Sequence, residues 1–251
     1  MRTSGNTILI TGGGSGIGRG LAEAFHALGN KVIVAGRRRE ALDETVAGRP
    51  GMSAMPLDVE RPEAIREFAL RVTAEHPDLD VLINNAGVMR PERLLSASDA
   101  LADAEAMVTT NLLGPIRLTA ALLPALLRRP RATIVNVSSG LAFVPLAMTP
   151  TYSATKAALH SYTESLRAQL AGTSVEVIEL VPPAVQTDLM PGQATSAHAM
   201  PLAAYLDEVM SIFTRQPDAP EVCVERVKFL RDAEREGRYA QTFATLNGRP
   251  R

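Results

Sequence analysis

Unbroken apolar runs alternate with segments of helical period along most of the chain. Thr7–Thr11 (TILIT), Lys31–Ala35 (KVIVA), Met52–Leu57, Val81–Asn84 (VLIN), Thr133–Val137 (TIVNV) and Val175–Val181 (VEVIELV) read as strands. Ile17, Leu21, Ala24, Phe25 and Leu28 recur at helical spacing, and Gly29 stops that helix as a C-terminal cap would. Arg39–Val46 and Arg61–Glu75, with Pro62 in its first turn, predict two more helices. Ser98–Leu127 reads as one long helix or two around Asn111, Ser153–Ala171 as a long helix, and Val222–Leu246 as an amphipathic one. Strands that are apolar throughout belong to parallel sheets covered on both faces. The expected fold class is α/β: one doubly wound domain over residues 1–251, with a central parallel sheet of about seven strands and helices on both faces.

Composition narrows the possible partners. A formal net charge of −1 gives no electrostatic case for nucleic acid or an anionic membrane. The longest apolar run, Leu118–Leu127, is too short to cross a bilayer, and Met1–Thr7 is too polar for a signal peptide. A single cysteine, Cys223, forms no internal disulfide and fits a reducing compartment, so a cytoplasmic location is expected. His26, His76, His160 and His198 are scattered and show no metal-ligand spacing; no metal is expected.

Chemistry enters at the first turn. Thr11, Gly12, Gly13, Gly14, Ser15, Gly16, Ile17 and Gly18 link the first strand to the first helix. Glycine there lets backbone approach a pyrophosphate, and the helix N-terminus offers free N–H groups and the positive end of its dipole. The spacing TGxxxGxG, met by Thr11, Gly12, Gly16 and Gly18, resembles the cofactor turn of short-chain dehydrogenases/reductases. Asn84-Asn85-Ala86-Gly87 after the fourth strand, Ser139 after the fifth, and Tyr152-x-x-x-Lys156 match that family in order and spacing. The resemblance covers about Thr7 to Leu189. It implies a Rossmann-type fold, a nicotinamide cofactor and hydride transfer from the pro-S side.

The second strand ends Gly36-Arg37-Arg38-Arg39. Gly36 stands where an acidic residue would bind the ribose 2′-hydroxyl of NAD(H), whereas arginine accommodates a 2′-phosphate. Arg37 and Arg38 therefore favour NADP(H). Ser15, where many NADP-preferring relatives carry a basic residue, leaves room for NAD(H) as a secondary cofactor. The resemblance further implies cofactor contacts at Asp58 and Val59, at Asn85, Ala86 and Gly87, and at Pro182, Val185 and Thr187. Pro183 departs from the family's usual Pro-Gly.

Tyr152 and Lys156, four apart, share one helix face. An ammonium beside a phenol favours the phenolate, so Lys156 is expected to lower the Tyr152 pKa. Tyr152 then serves as general acid or base. The resemblance gives Lys156 the nicotinamide ribose, Ser139 the substrate oxygen, and Asn111 a proton relay through Lys156 and water. The substrate wall is expected at Leu141, Phe143, Met148 and Met190, with Met89-Arg90 and a loop at about 183–206, which suits a hydrophobic ketone, aldehyde or secondary alcohol. The tail resembles that of a bacterial subgroup often labelled as lipoteichoic-acid D-alanylation oxidoreductases, a label that names no substrate. Family members pair the long helices flanking the fifth strand, so a homodimer or homotetramer is expected; Leu118, Leu122, Leu126, Ala158 and Leu166 fit such an interface or the core. Two alternatives stand beside this reading: an NAD(H)-linked sugar or polyol dehydrogenase, and a cofactor-binding regulatory protein with little turnover.

Overall fold

The computed structural model describes residues 1–93 and 100–248. Ser98 and Asp99, the start of the expected 98–127 helical stretch, lie outside them. Among the described residues, the strands are β1 (Thr7–Thr11), β2 (Lys31–Gly36), β3 (Met52–Pro56), β4 (Val81–Asn84), β5 (Ala132–Val137), β6 (Val175–Val181) and β7 (Glu221–Cys223). They form one parallel sheet in the order β3-β2-β1-β4-β5-β6-β7. The chain runs outward from β1 to β3, then crosses back to β4. That reversal leaves a crevice beyond the carboxyl ends of β1 and β4, where doubly wound sheets bind ligands.

Helices cover both faces, as the continuous apolar strands require. One face packs α1 (Gly16–Ala27) and α7 (Leu202–Arg215), with Phe25 and Phe213 meeting at 5.8 Å between ring centroids. The other packs α3 (Pro62–Glu75), α5 (Gly114–Leu126) and α6 (Pro150–Gln169). The short α2 (Arg39–Val46) lies against β2 and β3.

Three expectations are revised. The stretch around Asn111 comprises α4 (Ala100–Val108), a π-helical segment (Thr109–Leu113) and α5. A π-turn inserts one extra residue per turn and redirects the side chains on it. The whole run 101–126 is long and apolar enough to span a membrane by length and composition, contrary to the expectation from Leu118–Leu127. However, Met107, Leu118, Leu122 and Leu126 are buried inside the protein, and Leu166 nearly so, which makes it a core helix pair. Those leucines therefore serve the core and not an interface between subunits. The tail is no single helix: Glu221–Cys223 is the seventh strand, followed by α8 (Lys228–Arg231) and α9 (Tyr239–Asn247).

The face under α5 and α6 is apolar except for one row. Asn84, Asn136, Glu179 and Glu221 lie in register on β4, β5, β6 and β7. Asn84 Nδ2 donates to Asn136 Oδ1 (2.9 Å) and Thr119 Oγ1 (3.1 Å), and Asn136 Nδ2 donates to Thr163 Oγ1 (3.0 Å). Buried polar groups must find such partners, because one left unpaired costs about 1–3 kcal/mol. Asn136→Ala is thus expected to lower unfolding free energy by about 1–3 kcal/mol in urea titration; an unchanged midpoint would show that the row does not brace the sheet.

Candidate active site

The glycine turn is fixed by packing as much as by conformation. Gly12 has φ +68°, and a Cβ there would lie 2.9 Å from Asn85 Nδ2 and 3.0 Å from Ala86 Cα. A Cβ on Gly18 would lie 2.3 Å from the Gly12 carbonyl oxygen. Only glycine lets β1, α1 and the 85–87 segment close together there. Thr11 acts as their clasp: its Oγ1 accepts from the Asn85 and Ala86 N–H groups at 3.0 Å, and its carbonyl accepts from Asn85 Nδ2 at 2.9 Å. Thr11 thus braces the turn from behind and does not line the cleft.

Below this turn opens a cleft of about 500 Å³. It runs from Gly12, Gly14, Ser15, Gly16, Ile17 and Gly18 past Arg37 and Arg38, Val59, and Asn85, Ala86 and Gly87, to Ser139, Tyr152 and Lys156. Pro182, Pro183, Val185 and Thr187 close its far side. Asp58 does not line it; its Oδ1 accepts from the Glu60 N–H (3.0 Å) and shapes the turn after β3. An elongated cleft with a glycine turn at a helix N-terminus and guanidinium groups at one end fits a phosphate-bearing dinucleotide.

At the arginine end, Arg38 Nη2 donates to Ser15 Oγ (2.9 Å), which carries a guanidinium to the place on the turn where the sequence lacks a base. Arg37 pairs with Glu60 Oε1 at 2.8 Å, and the same oxygen accepts from Thr110 Oγ1 at 2.8 Å. Glu60 thus steadies Arg37 and also competes for its charge. This partner went unread in the sequence, where the residue is an unremarked acid two places past Asp58.

At the other end, Tyr152 and Lys156 project from the first turns of α6, which begins at Pro150, earlier than the sequence suggests. Both are buried. Lys156 Nζ donates to the Val137 carbonyl at 2.8 Å and sits 5.6 Å from the centroid of the Tyr152 ring. Burial pulls the Lys156 ammonium down to about 8, partly offset by the charge of Glu179. Burial pushes the Tyr152 phenol up to about 12, with the adjoining Ser139 hydroxyl acting the other way. The expectation of a lowered phenol pKa is therefore overturned in this state: desolvation dominates, and Lys156 points its ammonium at a backbone carbonyl. Tyr152 is thus held as a protonated phenol.

Ser139 lies at the end of β5, where its Oγ accepts from the Leu141 N–H (3.1 Å) and caps a short 3₁₀ turn (Gly140–Ala142). Asn111 sits buried in the π segment. Its Oδ1 accepts from the Val88 N–H and its Nδ2 donates to the Val88 carbonyl, both at 2.8 Å. It pins the segment leaving β4 and makes no hydrogen bond to Lys156, although a Cβ on Gly87 would stand 3.3 Å from Asn111 Oδ1 and 3.8 Å from Lys156 Nζ.

The substrate wall differs from expectation. Phe143 is turned away from the cleft, edge-on to His160 (4.7 Å) and beneath Arg231 (4.3 Å). Met148 is 51% exposed. Leu141 and Met190 pack around Met89, Met107 and Tyr152 behind the cleft lining. Met89, Arg90, Asp188, Leu189 and Gln193 line it directly. Asp188, Leu189 and Gln193 belong to the loop at about 183–206 that the sequence placed at the substrate wall. That loop is closed at its base, where Gln186 N–H donates to the Met200 carbonyl (2.8 Å) and Met200 N–H to the Ala184 carbonyl (2.7 Å). His160, distant in sequence from Glu179 and Glu221, meets both in the fold, with ligand-type atoms within 4.8 Å of one another.

A parallel sheet with this strand order, a glycine turn at its switch point and a Ser-Tyr-Lys set in one cleft define a dinucleotide-linked oxidoreductase site. The sequence model described as short chain dehydrogenase matches residues 6–197, and the chain belongs to that family. It is 39% identical to the uncharacterized oxidoreductase DltE of Bacillus subtilis, over 98% of both chains. It is 37% identical to the NADP-dependent 3-hydroxy acid dehydrogenase YdfG of Salmonella typhi, covering 70% of this chain and 71% of that one. A short chain dehydrogenase from Burkholderia cenocepacia, solved in complex with NADP, superposes over the full length of both chains with TM-score 0.84 at 29% identity.

The depressed Lys156 pKa has a consequence for stability. At pH 7 the ammonium is charged in both folded and unfolded chains, and burial makes that charge unfavourable. Between about 8 and the ordinary value of 10.5 the folded form sheds its proton first, so the penalty fades as pH rises. Lys156→Met is expected to melt above wild type at pH 7, with the gap narrowing towards pH 10.5, as followed by thermal denaturation. A gap independent of pH would mean that the ammonium is not held out of water.

Proposed function

We propose that the protein is an NADP(H)-dependent oxidoreductase that moves hydride between the nicotinamide and a carbonyl or secondary alcohol. The observation that carries this reading is the single cleft joining the glycine turn and two guanidinium groups to Ser139, Tyr152 and Lys156. The NADP and NADPH complexes of related short-chain dehydrogenases support the choice of cofactor. A cytoplasmic homodimer or homotetramer is the assembly the family resemblance favours.

Within this reading, Gly12–Gly18 and the start of α1 would hold the pyrophosphate, and Arg37 and Arg38, which here bond Glu60 and Ser15, would take the 2′-phosphate. Gly87 and Val185 would hold the nicotinamide end of the cofactor, and Lys156, which here donates to the Val137 carbonyl, would bind its ribose hydroxyls. The reduced nicotinamide, when bound, supplies hydride. Ser139 donates a hydrogen bond to the substrate oxygen and fixes it beside Tyr152. Tyr152 donates its proton to that oxygen as negative charge develops, and the Lys156 ammonium steadies the phenolate left behind. Asn111, by pinning Val88, fixes the segment leaving β4 beside Lys156.

Met89 and Leu189 favour a hydrophobic carbonyl substrate. A narrower reading, a hydroxy acid, is favoured by Arg90 in the cleft, paired with Asp103 and available to a carboxylate, and by the relative named as a 3-hydroxy acid dehydrogenase.

The test is absorbance-monitored oxidation of NADPH and NADH across hydrophobic ketones, aldehydes and 3-oxo acids. Tyr152→Phe is expected to lower kcat/KM by about 100-fold or more while NADPH binding is kept. Turnover surviving in that variant would remove Tyr152 as the acid. In the same assay, Arg37→Ala and Arg38→Ala each raise KM for NADPH by about tenfold and leave KM for NADH nearly unchanged. Equal effects on both cofactors would overturn the NADP assignment.

A further inference from the structure

β6 carries one buried charge. Val177 packs on the α5–α6 face, and Glu179, two residues on, occupies the same face with no exposure to solvent. Glu179 Oε2 meets His160 Nδ1 at 2.7 Å, while Oε1 has no hydrogen-bond partner among the described residues. His160 lies one helical turn beyond Lys156 on α6, on the same face. Glu179 stands beside Asn136 in the sheet, and the next residue of β5, Val137, receives the Lys156 ammonium. A helix turn and a strand pair thus place a buried carboxylate in the neighbourhood of a buried ammonium, with no direct ion pair between them.

We propose that Glu179, oriented by His160, is a positioning residue that keeps the desolvated Lys156 ammonium charged. An isolated ammonium in such a place discards its proton, and an anion nearby prevents it. The surrounding charges single out Glu179. From β5 it faces the neutral Asn136, and from the π segment Lys156 sees the neutral Asn111. On β7, Glu221 is bound by Arg231 of α8 through two hydrogen bonds (2.9 and 2.8 Å). On α6, Glu164 is exposed and 3.8 Å from the far nitrogen of His160. Glu179 also raises the His160 pKa, mainly by accepting its hydrogen bond, which fixes the carboxylate and the imidazole against each other. The catalytic meaning of this arrangement rests on the function proposed above; the charge pairing does not.

The chain has three lysines, Lys31, Lys156 and Lys228, of which Lys31 and Lys228 are exposed ion-pair partners. Lysine-selective isotope labelling therefore gives three side-chain resonances, and the buried one is assigned by its loss in Lys156→Met. In Glu179→Gln its titration midpoint is expected to fall by about one unit, and the alkaline limb of kcat/KM to move down with it. His160→Phe, which removes the donor to Glu179, shifts it likewise, whereas His160→Gln, which can still donate, restores the wild-type midpoint. An unchanged Lys156 midpoint in folded Glu179→Gln would overturn the proposal, whether or not the enzyme turns over. A shifted midpoint without turnover on any carbonyl upholds the pairing and overturns the function reading instead.

Discussion

Holding an ammonium out of water is the constraint around which the carboxyl edge of the sheet is arranged. Lys156 donates to the Val137 carbonyl, so β5 must end where it does. The turn that follows must then bring Ser139 round towards Tyr152, and the Gly140 N–H bond to the Pro182 carbonyl (2.9 Å) ties it to the end of β6. A Cβ on Gly140 would lie 2.8–2.9 Å from Val227 and Leu230 side-chain carbons, so the tail presses directly on that turn. The C-terminal segment is part of the site's scaffolding, consistent with a full-length match to a bacterial relative.

The other end of the cleft obeys a steric constraint. β1, α1 and the segment after β4 meet at distances only glycine tolerates, and Thr11 locks them with three hydrogen bonds. The glycine turn, built on close packing, and the Ser139–Tyr152–Lys156 end, built on buried charge, are joined by β4 and β5. Their register also carries the polar row from Asn84 to Glu221. Rigidity of the sheet is what holds residues from several strand ends in one cleft.

Much of this was legible in the residues. Apolar strands such as TILIT and KVIVA gave the parallel sheet because burial on both faces leaves no polar side to disguise it. The glycine turn and the Tyr152–Lys156 spacing are local, and local spacing survives folding unchanged. What escaped was long-range or short. β7 has three residues, too few to outweigh the helical period of the tail around it. The π segment at Asn111 differs from an α-helix by a single residue. Phe143 is apolar and near Ser139 in sequence, yet Arg231, far away in the chain, draws it out of the cleft. The raised Tyr152 pKa depends on burial that no spacing reports. Glu179 did leave a trace, as one of two glutamates in a mostly apolar strand, of which Glu176 is partly exposed and Glu179 buried.

The central claim is that hydride passes directly from the nicotinamide to a carbonyl carbon in this cleft. NADPH carrying deuterium in the pro-S position at C4, incubated with a ketone that the enzyme reduces, tests it most directly. The label is expected on the carbinol carbon of the alcohol, with none at that carbon when unlabelled NADPH is used in D₂O. Label retained in the oxidised cofactor, or solvent deuterium on the carbinol carbon, would contradict it.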